Sequence, residues 1–347
     1  MQERKYLHRC FQLAFNGMGK VSPNPMVGAV IVYEEAIIGE GFHQKYGEAH
    51  AEVKAIENAI ENGFENLLSE STIYVSLEPC SHFGKTPPCC DLIIKHRFKK
   101  VVISNIDPFP EVSGTGIKKM RAAGIEVITG ILEEEGFEIN KRFFTFYQKK
   151  RPYIILKFAQ SKDGFIAPQN PTPENRKISN DLSNKLVHQW RSEESAILIG
   201  TTTADVDNPT LTVRNFSGTN PIRMVIDKDC KLPLSNNIFN RDAQTLIFNE
   251  SINEIRDNVE FIKIDFSREI LTQINDIAIE KKIVSVFVEG GSKIHQQYID
   301  QYLWDEIRTI TSPELLLSGT KSAQFSGIIK EEFTLGSDLI QLFKSNS

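Results

Sequence analysis

His50, Glu52, Cys80 and Cys89 are the side chains of this 347-residue chain whose types and spacing are best suited to chemistry. His50-Ala51-Glu52 opens an Ala- and Glu-rich stretch, and Glu78-Pro79-Cys80 follows the apolar run TIYVSL; Cys89 lies nine residues beyond Cys80, with Cys90 beside it as a rival ligand. One imidazole and two thiolates at such junctions supply three ligands to a tetrahedral Zn²⁺ and leave a fourth position for water. Bound zinc lowers the pKa of that water to about 7, so hydroxide is available at neutral pH. Glu52, two residues beyond His50 on the same helical turn, is placed to move a proton without being a ligand. Such a set is expected for hydrolytic deamination of an amino-substituted ring. Singly, these residues read as a cap histidine and packed cysteines; their joint spacing is what speaks for a metal.

A second chemical feature is VEGGSKIHQQYI (288–299), a strand, a glycine turn and a helix. Gly290 and Gly291 let the backbone approach a phosphate while helix N-terminal N–H groups point toward it. It is not the G-x-G-x-x-G of a Rossmann domain.

Composition bounds these readings. With 40 Lys and Arg against 45 Asp and Glu, the chain carries a net charge of −5, which speaks against a nucleic-acid binder working through a basic surface. The charged N-terminus does not read as a signal peptide, and no run approaches the roughly 20 apolar residues of a membrane span. A cytoplasmic protein is expected, and three of its five cysteines crowded into residues 80–90 suit a metal better than a disulfide framework.

The elements that must position these residues alternate. Periodic apolar positions predict a helix over 2–17, followed by a strand at 27–33, a helix over 49–62 ending at Gly63, strands at 72–77 and 100–106 with a helix at 87–97 between them, a helix over 116–123 and a strand at 125–130. After the polar stretch 140–152, with Pro152 as a plausible boundary, strands are expected at 153–159, 196–200, 222–227, 245–248, 260–264 and 284–290, and helices at 180–192, 266–281 and 291–301. Only 168–176 is loop-like enough to suggest mobility. Strands alternating with helices imply layered α/β sheets covered on both faces. The length suggests two domains, 1–147 and 148–347.

PNPMVGAVIV (23–32), GEGFHQKYGEAHAEVKAI (39–56) and SLEPCSHFGKTPPCC (76–90) closely resemble the deaminase domain of the bifunctional riboflavin-biosynthesis deaminase/reductase family. The eight residues between Cys80 and Cys89 suit this family rather than the P-C-x-x-C of cytidine or transfer-RNA deaminases, the alternative reading of the first half. The resemblance implies a cytidine-deaminase-like three-layer α/β/α domain, with His50, Cys80 and Cys89 as zinc ligands and Glu52 as the proton shuttle. It further implies that Asn24, His43, His82, Lys85 and Asp107 hold the substrate, Lys85 suiting a phosphate ester. Phe109 stands where the family loop would carry Asn.

KFAQSKDGFIA (157–167), His188–Arg191, GTTTADVDNPTLTVR (200–214) and the Gly-Gly turn are similar to the reductase domain of the same family, whose fold is dihydrofolate-reductase-like. By that resemblance Asn175, Arg191, Leu211, Arg214 and Glu289 meet the phosphorylated pyrimidine. Ala159, Lys177, Thr203, Asp207, Gly291, Ser292, Lys293 and Ile294 meet NADPH. Asn175 and Lys177 depart from the S-x-W-I-[ST] segment common in the family; a lysine there suits the 2′-phosphate of NADPH. The implied reactions are deamination of 2,5-diamino-6-(5-phosphoribosylamino)pyrimidin-4-one and NADPH-dependent reduction of the ribosyl group to ribityl, with Lys157 or Asp163 as a proton source for the opening sugar. Small phosphorylated pyrimidines, Zn²⁺ and NADPH are the expected ligands, with no nucleic acid or membrane, in a homodimer or homotetramer. A second half reduced to a binding or dimerisation module is the competing view.

Overall fold

In the computed structural model the described residues are 2–81, 87–109, 113–172 and 175–345. They fall into two compact units, Met1–Lys150 and Arg151–Ser347, so the division lies three residues beyond the expected boundary.

The first unit runs α1 (Gln2–Phe15), β1 (Gly28–Tyr33), β2 (Ala36–Phe42), α2 (Ala51–Glu61), β3 (Thr72–Leu77), α3 (Cys89–Lys95), β4 (Lys100–Asn105), α4 (Thr115–Ala122), β5 (Glu126–Thr129), α5 (Glu133–Ile139) and α6 (Lys141–Gln148). Its sheet has the order β2-β1-β3-β4-β5, antiparallel through β1 and parallel from β3 to β5. Residues alternate across it. Ala29, Ile31, Ile73, Val75, Val101 and Ile103 pack on the α2, α3 and α4 side, whereas Val30, Val32, Tyr74 and Val102 pack with Leu7, Cys10 and Phe11 of α1. Because β1, β3 and β4 are buried on both faces along nearly their whole length, these strands read as largely continuous apolar runs. Helices on both faces make three layers.

The polar stretch expected at 140–152 is largely α6. Its flanking Lys and Arg conceal an aromatic face, since Phe143, Phe144 and Phe146 are buried and Phe143 and Phe144 cluster with Leu77 at the end of β3.

The second unit contains β6 (Tyr153–Gln160), β7 (Phe165–Pro168), α7 (Asp181–Glu193), β8 (Ala196–Gly200), α8 (Thr201–Asp207), β9 (Ile222–Ile226), β10 (Thr245–Asn249), β11 (Glu254–Arg256), β12 (Val259–Lys263), α9 (Ile270–Glu280), β13 (Ser285–Val288), α10 (Ser292–Asp300), β14 (Glu306–Thr311), β15 (Gly319–Lys321), β16 (Ile328–Leu335) and β17 (Asp338–Lys344). Its large sheet has the order β11-β12-β10-β9-β8-β13-β6-β14-β17-β16, with neighbours parallel from β12 to β14 and antiparallel at both edges. One face packs α9 and α10 through Leu271, Ile274 and Tyr298; the other packs α7 and α8 through Val187, Trp190 and Ala204. In such parallel sheets ligand sites form outside the C-terminal strand ends, where β6, β8 and β13 deliver Ala159, α8 and the Gly-Gly turn.

Candidate active sites

His50 is the N-cap of α2, with extended backbone (φ −75°, ψ 167°) and no side-chain capping bond. Its ring is thereby left to turn toward the end of β3. There Nδ1 lies 3.6 Å from Cys80 Sγ and 3.4 Å from Cys89 Sγ. Ligands at zinc's usual Zn–S and Zn–N lengths in tetrahedral directions stand roughly 3.5 Å apart between N and S, so this set fits the ion. The three donor atoms all lie within 4.8 Å of one another.

Cys89 is the first residue of α3, and its backbone N–H donates to Cys80 Sγ at 3.3 Å. With hydrogen bonds from Cys89 and His50, the Cys80 thiol is pushed down to about 4, while the hydrogen bond to Cys80, burial and the nearby Glu52 push Cys89 up. The N-terminus of α3 thus meets Cys80 Sγ, a setting that favours its thiolate. Cys90, the rival ligand, is buried in the α/β core. Desolvation pushes it up to about 12.

Glu52 sits in the first turn of α2, 3% exposed. Burial pushes its carboxyl up to about 7, against the opposing charge of His50, which suits a group that takes and returns a proton near neutrality. His43 is also buried. Its Nδ1 faces Ala49 O at 3.2 Å, an acceptor only, so Nε2 accepts from Asn24 Nδ2 at 3.1 Å. Its ring meets the His50 ring edge-on, centroids 5.2 Å apart. Asn24 and His43 thus stand beside the metal set. Asp107 is buried too, and desolvation pushes it up to about 7 although the Phe109 N–H donates to its Oδ1 at 2.8 Å. Phe109 itself lies against Tyr147. His82 and Lys85 lie outside the described residues.

Glu78 is the residue here to which motif reading gave no role. Its carboxylate accepts backbone N–H groups from Gly114 (2.9 Å), Ile117 (3.4 Å) and Asp107 (3.4 Å). It therefore caps the N-terminus of α4 from outside and anchors the Asp107 loop two residues before Cys80. The only trace in the sequence is an acid directly before Pro-Cys.

In the second unit, Arg191 on α7 forks onto Glu289, with Nε to Oε1 at 2.6 Å and Nη2 to Oε2 at 2.8 Å, while Nη1 donates to Thr212 O at 3.3 Å. Leu211, buried with φ +53°, begins the segment that carries Thr212 and Arg214. Arg214 is exposed, its backbone N–H donating to buried His188 Nδ1 and its guanidinium to Thr210 Oγ1. Lys157 faces Glu289 from β6, and burial pushes it down. These residues share one neighbourhood. Asp163 accepts from Ser161 Oγ, Leu316 N and Leu317 N, and these donors hold its carboxyl down at about 2, a setting that favours the ionised form.

The Gly-Gly turn takes its form from two constraints. A Cβ on Gly290 would stand 2.7 Å from Ile199 Cα, and Gly291 has φ +71°, conformations and approaches that glycine alone allows cheaply. Gly291 precedes Ser292, Lys293 and Ile294 at the start of α10; a side chain on Gly291 would face Thr203 Oγ1, and Ile294 reaches Gly200. Thr203, Gly200 and the turn therefore adjoin, as a dinucleotide phosphate requires. Asn175 and Lys177 do not join them. Asn175 bonds Asn170 O and Thr172 N within its own loop, and Lys177 pairs at 2.5 Å with Asp181 in solvent. Arg176 is the cation of that loop that faces Asp207.

A zinc site in a three-layer deaminase fold, followed by a dihydrofolate-reductase-like unit, defines a bifunctional deaminase–reductase. Residues 1–105 match the cytidine and deoxycytidylate deaminase zinc-binding region, and residues 152–334 match the RibD C-terminal domain. The chain is 36% identical to the riboflavin biosynthesis protein RibD of Aquifex aeolicus over 99% of this chain and 98% of that one, and 33% identical to RibD of Escherichia coli over 92% and 90%. The crystal structure of a Thermotoga maritima diaminohydroxyphosphoribosylaminopyrimidine deaminase/5-amino-6-(5-phosphoribosylamino)uracil reductase superposes with a TM-score of 0.90 at 37% identity, covering 99% of each chain. The chain belongs to the RibD family of bifunctional riboflavin-biosynthesis enzymes. Among the described residues no helix is long and apolar enough to cross a membrane.

Proposed function

We propose that the chain deaminates 2,5-diamino-6-(5-phosphoribosylamino)pyrimidin-4-one and then reduces the ribosyl group of the product to ribityl with NADPH. The observation that carries the first step is the convergence of His50, Cys80 and Cys89 within 4.8 Å, with Glu52 buried beside them. His50, Cys80 and Cys89 hold zinc, which when bound supplies Lewis-acid activation of water at neutral pH. Glu52 takes a proton and returns it to departing ammonia. His43, fixed in its Nδ1–H form, and Asn24 orient the pyrimidine, and Asp107 bonds its polar edge; the family resemblance alone assigns His82 and Lys85 to the substrate, Lys85 to its phosphate.

In the second unit the nicotinamide supplies the hydride and the protein supplies orientation. Glu289 and Leu211 hold the pyrimidine and Arg214 its phosphate. Arg191 keeps Glu289 ionised and in place, since two of its five N–H groups are spent on that carboxylate and a third on Thr212 O. Lys157, depressed by burial next to Glu289, protonates the opening sugar. Ala159, Thr203, Asp207, Gly291 and the first turn of α10 hold NADPH; Asn175 and Lys177, bonded within their own loop and to Asp181, take no part in this reading. A cytoplasmic homodimer or homotetramer completes this reading.

Metal analysis of chelator-free protein and NADPH oxidation with the deaminated substrate test it together. About one zinc per chain and turnover-linked NADPH loss are expected. Absence of zinc overturns the first site, and absence of NADPH binding overturns the second.

A further inference from the structure

His295 is 1% exposed in the first turn of α10, and no role in ligand binding requires its imidazole. Its Nε2 lies 3.0 Å from Val288 O, the last residue of β13. A carbonyl only accepts, so Nε2 carries the proton. The ring therefore spans back from helix to strand across Glu289-Gly290-Gly291, while its own backbone N–H bonds Gly291 O at 3.2 Å. Phe158 of β6 covers the ring at 5.3 Å between centroids. Desolvation keeps the imidazole neutral, with Lys157 and Glu289 as the charged groups that act on it. Among the described residues Nδ1 has no hydrogen-bond partner.

Burying an imidazole with one ring nitrogen unsatisfied is unfavourable unless the other nitrogen does something a hydrocarbon cannot. Here the bond closes the turn into a ring of fixed size, with the substrate-side carboxylate of Glu289 at one end and the phosphate-side N–H groups of α10 at the other. We infer that His295 is a positioning residue of the reductase, its Nε2–H setting Glu289 and the cofactor turn at one mutual geometry. The inference rests on the reductase reading above. It assigns His295 no contact with substrate or cofactor.

Full-length, zinc-loaded protein carrying His295→Gln, His295→Asn or His295→Phe tests it, with NADPH oxidation on the deaminated pyrimidine, ammonia release and Tm as readouts. Glutamine places an N–H at a reach similar to Nε2 and is expected to behave nearly as the native chain. Asparagine, too short for Val288 O, and phenylalanine, without a donor, are expected to raise the KM for NADPH roughly three- to tenfold, as one neutral hydrogen bond allows, with kcat falling and ammonia release unchanged. If Phe does not fold, the Gln–Asn pair decides. Equal reductase kinetics in Gln and Asn, or native kinetics in Phe, overturn the inference. No NADPH oxidation by the native chain would instead overturn the reductase reading itself.

Discussion

Arg191 and Glu289, 98 residues apart in sequence, form a two-pronged ion pair with side chains only 11% and 10% exposed. The guanidinium fork matches both carboxylate oxygens, and Thr212 O takes a remaining donor. Position alone cannot tell a phosphate clamp from a scaffold; this pairing favours the scaffold. Lys157 supplies Glu289 with a second cation.

Replacing Arg191 by Met should therefore damage geometry before affinity. A buried carboxylate robbed of its partner costs about 3–5 kcal/mol, so the reductase unit should melt at clearly lower temperature and lose kcat for NADPH oxidation. Ammonia release should persist. A variant of native Tm with only a raised substrate KM would show that Arg191 is a ligand contact after all.

Glu52 offers a cleaner separation. Glu52→Gln keeps the shape and leaves the three zinc donors untouched, while removing the group that moves the proton. Ammonia release should fall by about 10²–10⁴, the usual weight of a positioned acid–base group. Zinc content and NADPH oxidation with already deaminated substrate should match the native chain. Loss of zinc in this variant would contradict the role of Glu52 as a non-ligand.

For Glu78 the expected damage is structural and local. The carboxylate receives backbone N–H groups from three positions, and glutamine can offer only one oxygen while turning an NH₂ toward donors. Leaving buried N–H groups unmet costs about 1–3 kcal/mol. Glu78→Gln should lower the Tm of the first unit and reduce deaminase kcat as Asp107 shifts, with zinc retained because Cys80 lies beyond the capped turn. An unchanged melting curve would refute the cap.

How far these sites were legible in sequence follows from where their parts lie. His50-x-Glu52 and Pro-Cys80 are local spellings at strand ends, so the metal set reads directly. Glu78 does not: its donors come from residues 29 to 39 positions later, brought in only when α4 docks. The strands after residue 301 escaped for a related reason. β14 is buried, yet holds Glu306 and Arg308, which pair at 2.6 Å and break the apolar run. β16 is exposed along most of its length and shows no apolar alternation. In α6, basic flanks hid the aromatic face. Lys177, assigned toward NADPH by motif position, meets Asp181, the first residue of α7 four positions on, in a local pair that motif comparison does not weigh.

Asp163 yields a prediction whose sign comes from its partners. Ser161 Oγ and the backbone N–H groups of Leu316 and Leu317 donate to it, tying the turn after β6 to the chain beyond β14 and holding the carboxyl at about 2. In the unfolded chain the group titrates near 3.9. Its folded pKa is thus depressed, so its contribution is fully present above about pH 4 and disappears as pH falls toward 2, where both states are protonated. Asp163→Asn lacks this linkage. The gap in urea midpoint between native and variant chains should be constant from pH 7 to 5 and narrow from pH 4 to 3. A gap that widens on acidification would mean that Asp163 is not held ionised by these donors.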